Sequence, residues 1–132
     1  MNPLYSIPVS GLALQSKRFA QSAENVANLG STGVRSDRAE GSEDGFVPHR
    51  VVGVTGAQGG VRAASQPIAP PSVFHYDPGA PDADAEGVVA RPNVSLEQET
   101  VVQLQAKQAY QANLKVIEAV DEMLGSLLDV KS

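Results

Sequence analysis

The chain contains no cysteine and no tryptophan, and only 5% of its residues are aromatic. Without cysteine there is no disulfide framework, no thiolate metal site and no thiol nucleophile. With so few aromatics, and an apolar fraction that leans on Ala and Val, 132 residues that set a prior of one domain do not promise a compact core. No run approaches the roughly 18 consecutive apolar residues needed to span a bilayer. The start, "MNPLYSIPVSGLALQS", lacks a positive leading region, and Pro8 interrupts its apolar run, so no conventional cleaved signal peptide is expected. Excess positive charge is missing too. The formal net charge is -5 and the pI about 4.9, which argues against nucleic acid or an anionic lipid surface as a partner. Residues 1–29 carry +1 from Lys17, Arg18 and Glu24, while 30–92 and 93–132 carry -3 each; screening leaves this asymmetry only a minor pairing preference.

Glycine and proline are present but confined. Ten of the twelve glycines and seven of the nine prolines lie between Gly30 and Pro92, which divides the chain into residues 1–30, 31–92 and 93–132 and predicts helical ends around a non-helical middle. The first helix is expected from Ser6 to Leu29, with Ser6 as its cap, Pro8 tolerated in the first turn and Gly30 as a left-handed stop. Val9, Leu12, Ser16, Phe19, Ala23 and Val26 step by three and four along one face of it. The last helix is expected from Ser95, where Ser95 and Gln98 have capping-box spacing, to Val130. Its series Val102, Ala106, Ala109, Asn113, Val116, Val120, Met123, Leu127 and Val130 is a coiled-coil seam with one polar member. Tyr110, Leu114, Ile117, Leu124 and Leu128 run beside it. The expected fold is therefore mainly α, with long terminal helices pairing as a coiled-coil-like core and a Gly/Pro-rich irregular middle holding short β-strands. A rod of roughly 36 Å cannot cover the wide apolar face of one of roughly 50 Å. At roughly 1.5 to 3 kcal/mol per fully buried large side chain, the uncovered part points to assembly with other copies or other chains.

The middle offers little chemistry. "FVPHRVVGVTG" and "SVFHYDPG" suit one or two short strands or an irregular hairpin, "ASQPIAPPS" reads as extended, and Ser31 to Asp44 as polar and mobile. "DADAEG" places Asp82, Asp84, Glu86 and Gly87 at calcium-loop spacing, but Asn93 stands where the bidentate Glu belongs and no helix enters, so it reads as a solvated acidic turn. His49 and His75 lack a neighbouring carboxylate motif and read as surface or strand histidines. "GAQGG" (56–60) matches no phosphate-binding loop and reads as a flexible turn. Asn93, in "NVS", reads as a helix cap. Asn113 is more informative: an amide in an apolar seam either meets water or takes a bond that fixes its neighbour. Asn25 and Asn28 admit the same two readings.

Three stretches together resemble a family. "SAENVANLGSTGVRS" (22–36) resembles the A-N-N-I-A-N-x-x-T-x-G-Y-K/R signature of the bacterial flagellar axial proteins, the rod and hook subunits. Asn25, Ala27, Asn28, Thr32 and Gly33 match it, while Glu24 replaces its Asn and Val34 its Tyr. "YDPGAPDADAEGVVARPNV" (76–94) and "QAYQANLKVIEAV" (108–120) are similar to the segments that lead into and form the last helix of that family's short proximal-rod subunits. The resemblance implies a structural subunit whose terminal helices pack in a tubular, torque-transmitting core while the middle fills an outer layer. It implies an assembly surface that includes Leu12, Phe19, Ala23, Asn25, Val26 and Asn28 on the first helix. On the last helix it includes Val102, Ala109, Tyr110, Asn113, Val116, Val120, Met123 and Leu127. The implied partners are further copies, other rod proteins and the flagellar type III export apparatus. The implied place is the basal-body rod in the periplasmic space, reached without a cleaved signal. No enzyme activity, cofactor, metal, small-molecule substrate, nucleic acid or membrane insertion is expected. The stripes also permit a soluble helical-hairpin adaptor or export-chaperone-like module. An enzyme built on His49 or His75 with the carboxylates of 77–86 is the weakest reading.

Overall fold

The computed structural model describes residues 3–35, 45–57 and 59–130. Helix α1 (Pro3–Ala27) is followed by strands β1 (His49–Thr55), β2 (Val61–Pro67), β3 (Ser72–Tyr76) and β4 (Val88–Pro92), and then by helix α2 (Leu96–Val130). The helical ends are as expected. The middle is more regular than expected, with four strands in two antiparallel hairpins, β1-β2 and β3-β4. Gly56, Ala57, Gly59 and Gly60 of "GAQGG" lie at the first hairpin's turn, where Gly59 and Gly60 take positive φ that residues with a Cβ rarely adopt.

The predicted ends of α1 need correction. The helix begins at Pro3, so Ser6 lies inside it rather than capping it; a proline suits a first turn whose amides have no intrahelical acceptor. Gly30 is not a left-handed stop, since positive φ among the described glycines belongs to Gly59, Gly60 and Gly87. The helix instead closes by tightening. Leu29 N donates to the Val26 carbonyl at 3.2 Å and Ser31 N to that of Asn28 at 3.0 Å, while Ser31 Oγ donates to the same Asn28 carbonyl at 2.8 Å, satisfying end carbonyls that α-helical bonds leave over. The start of α2 follows the prediction: Gln98 N reaches Ser95 Oγ at 3.4 Å. Glu97 and Glu99 in the first turn favour the positive end of the helix dipole. Asn93 does not cap this helix. Its Nδ2 donates to the Pro70 carbonyl at 3.0 Å, tying the entry of β3 to the exit of β4.

The helices lie antiparallel, with Asn25 beside Glu99, Gly11 beside Asn113 and Tyr5 beside Asp121. The face that α1 turns to α2 differs from the predicted stripe, while that of α2 keeps part of its predicted seam. On α1 the buried positions are Pro8, Gly11, Leu14, Gln15, Ser22 and Asn25, so small and polar side chains, not the Val9–Phe19 stripe, set a close helix approach. On α2 Ala106 and Val120 are buried and Ala109, Asn113, Ile117 and Leu124 half-buried. Val102, Val116, Met123 and Leu127, members of the predicted seam, are exposed. On α1 the buried series lies about one position before the predicted one, which rotates the helix face by roughly 100°, whereas Ala106, Ala109, Asn113 and Val120 of the predicted α2 seam do turn inward.

The β1-β2 hairpin lies along α1. Gly53 makes this possible, because a Cβ there would meet a Leu14 methyl at 2.8 Å. Residues 31–35, predicted to be mobile, are held: Gly33 bridges Ala90 of β4 through bonds of 2.9 and 3.0 Å, and Thr32 Oγ1 donates to Asp82 at 2.8 Å. The rest of that predicted segment, 36–44, lies outside the described residues. As the composition foretold, the buried apolar set is small: Leu14, Val89, Ala90, Ala106 and Val120.

Candidate assembly surface

Where α1, β1 and α2 meet, three buried polar side chains close a junction. Asn25, 1% exposed, donates from Nδ2 to the His49 carbonyl at 2.8 Å and to Glu99 Oε1 at 2.9 Å. Its Oδ1 accepts from His49 N at 3.3 Å. Ser22 Oγ donates to the Glu99 carbonyl at 3.1 Å. Asn25 thus serves the fold's interior, taking both backbone groups of a strand end and a carboxylate of the other helix. Asn113 and Asn28 likewise bond within the chain: each donates from Nδ2 to the carbonyl four residues back, Ala109 at 2.8 Å and Glu24 at 2.9 Å. Asn113 finds this acceptor in its own helix while its amide packs over Gly11.

The large apolar side chains face outward. Phe19 of α1 with Tyr110 and Leu114 of α2 line an open, mainly apolar groove of about 500 Å³. Gln15 stands at the same groove, and its Oε1 is buried without a partner among the described residues. Such an atom costs stability until a donor reaches it. Beyond the Tyr5–Asp121 contact, α2 runs on for nine residues to Val130, a further length of roughly 13 Å. This overhang bears Met123, Leu127, Leu128 and Val130, of which Leu127 is 67% and Val130 84% exposed. Of the remaining predicted positions, Ala23 is exposed and Leu12 and Val26 are half-buried. Monomeric proteins rarely leave so continuous an apolar strip uncovered.

The acidic turn is structural. Asp84 Oδ1 accepts from Val88 N at 2.8 Å and Glu86 N at 3.0 Å, and Oδ2 pairs with Arg35 at 3.1 Å. The Val88 amide foremost, then Arg35 and the Glu86 amide, hold its carboxyl below the usual aspartate range. No cluster of three metal-ligating side chains occurs among the described residues, and no helix among them is long and apolar enough to cross a membrane. His49 and His75 sit on separate hairpins, and His49 Nδ1 is engaged with the Val47 carbonyl at 2.9 Å.

Comparison with known proteins places this geometry. Residues 85–130 match the family model described as the flagellar basal body rod FlgEFG protein C-terminal. The flagellar basal-body rod protein FlgC of Salmonella typhimurium is 38% identical over 124 residues, covering 92% of this chain and 90% of that protein. The chain belongs to the FlgC family of flagellar basal-body rod proteins. FlgC of Agrobacterium fabrum is 34% identical, covering 98% of this chain and 96% of its own, and FlgC of Bacillus subtilis 29% identical with 98% and 99% covered. Membership of the FlgC family makes this chain a structural subunit of the flagellar rod, a part of the motility apparatus and not an enzyme. The adaptor reading is not favoured.

Sequence reasoning missed Arg18, whose Nε donates to the Val51 carbonyl at 3.2 Å, and Ser22 and Glu99, which close the interior of this FlgC-family fold. Glu99 carried a signal: an acidic residue at the spacing of the inward face, one turn before Gln103 and two before Ala106.

Proposed function

We propose that the chain is a proximal-rod subunit whose helices, residues 1–30 and 93–132, form one assembly domain, with 31–92 as an outer layer. Copies of the chain and other rod proteins pack against the outward stripes in a coiled-coil-like manner, and the resulting tube carries torque. The exposed positions Phe19, Val102, Tyr110, Val116, Met123 and Leu127 belong to this interface, with Leu12, Ala23 and Val26 beside them. Asn25, Asn28, Ala109, Asn113 and Val120 support it from within, by fixing which face of each helix points outward. The observation that carries this reading is the apolar overhang of α2, whose Leu127, Leu128 and Val130 are 67%, 73% and 84% exposed. At roughly 1.5 to 3 kcal/mol per buried large side chain, a neighbour that covers them gains several kcal/mol. Delivery is by the flagellar export apparatus, without a cleaved signal, to the periplasmic section of the rod.

The test is purification of basal bodies from cells producing a tagged chain, with a strain lacking the chain beside it. Presence of the chain in the rod fraction, and loss of assembled flagella in the deletion strain, are the expected results. A chain that stays in the cytosol, with some flagella remaining in its absence, would return the adaptor reading.

A further inference from the structure

Every strand of a two-stranded hairpin has an outward edge, a row of backbone N–H and C=O groups aimed away from its partner. The turn bonds fix which residues those are. In the second hairpin Asp77 N bonds the Gly87 carbonyl and Asn93 N the Pro71 carbonyl. With Phe74 opposite Ala90, alternation along the ladder turns Val88, Ala90 and Pro92 of β4 outward, and Ser72, Phe74 and Tyr76 of β3. The β4 edge is closed throughout. Val88 donates to Asp84 Oδ1 and accepts from Asp84 N, Ala90 exchanges both bonds with Gly33, and Pro92, which has no N–H, accepts from Val94 N. The β1 edge is closed where it crosses α1: Asn25 takes both groups of His49 and Arg18 Nε donates to the Val51 carbonyl at 3.2 Å. On β2, Ser10 Oγ accepts from Val61 N at 3.1 Å, while nothing among the described residues takes the outward groups of Ala63 and Ser65. On β3 nothing among the described residues takes the outward groups of Ser72, Phe74 or Tyr76, and Phe74 and Tyr76 are 60% and 69% exposed.

Open edges are usually guarded by lysine, proline or a bulge. The β3 strand, "SVFHY", has none of these and no charged side chain. The edge of β2 borders a notch of about 340 Å³ between Ala63, Ser65 and the α1 residues Lys17, Gln21 and Glu24, room for an added strand.

We infer that β3 of one copy adds to β2 of the next, making a four-stranded sheet β1-β2-β3-β4 that spans two subunits. This rests on the rod reading, which supplies the neighbour and the direction: in a polar tube all copies point the same way, and β3 pairing with β3 about a two-fold axis would reverse one of them. Joining the two open edges closes both and leaves the same pair open at the ends, so the contact is heterologous and propagates. Main-chain bonds hold the strand, and the exposed Tyr76 supplies its side-chain anchor.

The absence of native cysteine makes the test clean. Opposed residues of an antiparallel hydrogen-bonded pair lie about 5.5 Å apart at Cα, within disulfide range. Phe74→Cys is combined with Ala63→Cys or with Ser65→Cys, and basal bodies are purified from each strain and oxidised. The expected result is a ladder of cross-linked multimers from one of the two combinations and none from the single variants. The chain found in basal bodies without a ladder from either combination overturns the strand pairing and leaves the rod reading standing. Dimers from Phe74→Cys alone overturn it in favour of a two-fold β3 contact, and cross-links only to other rod proteins show that the occupant is not a second copy. Absence of the chain from basal bodies overturns the rod reading and the pairing together.

Discussion

Two residues carry more of this fold than their size suggests. A Cβ on Gly11 would stand 2.5 Å from Asn113 Oδ1 and 2.8 Å from its Cγ, so the glycine's role is to let α1 approach α2 where the amide has already turned back on its own helix. Gly11→Ala is expected to cost about 1–3 kcal/mol by overpacking, and Asn113→Ala in the same chain to recover most of that; urea denaturation followed by circular dichroism reads both. Equal losses in the single and double variants would show that the amide is not what the methyl meets. Asn25 is the second such residue. Asn25→Ala leaves the His49 backbone groups and one Glu99 oxygen without their buried partner, for an expected loss of roughly 2–4 kcal/mol in the same assay. Both residues were visible in the sequence, Gly11 as one of only two glycines in the flanks and Asn25 in the axial signature. Their partners were not, because Gly11 and Asn113 are joined by a helix pairing that spans about a hundred positions of chain.

Among the elements, helix content and the start of α2 were legible, and the ends and orientation of α1 were not. Periodicity located both helices and Ser95 located the start of α2, since caps and spacing are local. The same periodicity misplaced the inward face of α1, because it assumes that the most apolar stripe is buried within the chain; here Gly11, Ser22 and Asn25 allow a closer, hydrogen-bonded approach and the apolar stripe turns out. The strands were under-read because β4 and the bridge to Gly33 depend on an acidic turn that resembled a metal loop. That turn makes a pH prediction. Asp84 is held below the usual aspartate range, chiefly by the Val88 amide, so it gives up its proton more readily in the folded chain than in the unfolded one. Its stabilisation of the turn is therefore complete above the ordinary aspartate pKa of about 3.9 and is lost as pH falls through the lower folded value. Amide exchange at Gly33 and Val88 should accelerate, relative to the rest of β4, only below about pH 4, and Asp84→Asn should flatten that dependence. An unchanged profile in the variant would assign the effect to another carboxylate.

At the scale of the whole molecule, stability and assembly are carried by different surfaces, and this separates their mutational effects. The interior is narrow: a few small apolar residues, a polar junction at Asn25 and Glu99, and backbone edges closed by side chains. The large apolar residues lie outside it, most of all on the overhang of α2. Leu127 and Leu128 are 67% and 73% exposed and lie beyond the Tyr5–Asp121 contact, so within a single chain they contribute little to folding. Leu127→Glu and Leu128→Glu should each change the unfolding free energy by no more than about 0.5 kcal/mol, as for ordinary surface positions. In a tube where these side chains are covered, the same carboxylate is placed against apolar neighbours and carries the cost of an unpaired buried charge. Motility in soft agar, and the amount of chain in purified basal bodies, should therefore fall sharply while the denaturation curve does not move. Gly11→Ala provides the opposite control, shifting the denaturation curve while keeping the outer surface intact. Full motility in the Leu127→Glu and Leu128→Glu strains would mean that the overhang stays in water, and the apolar strip that argues for assembly would have to find its cover between Phe19 and Leu114 instead.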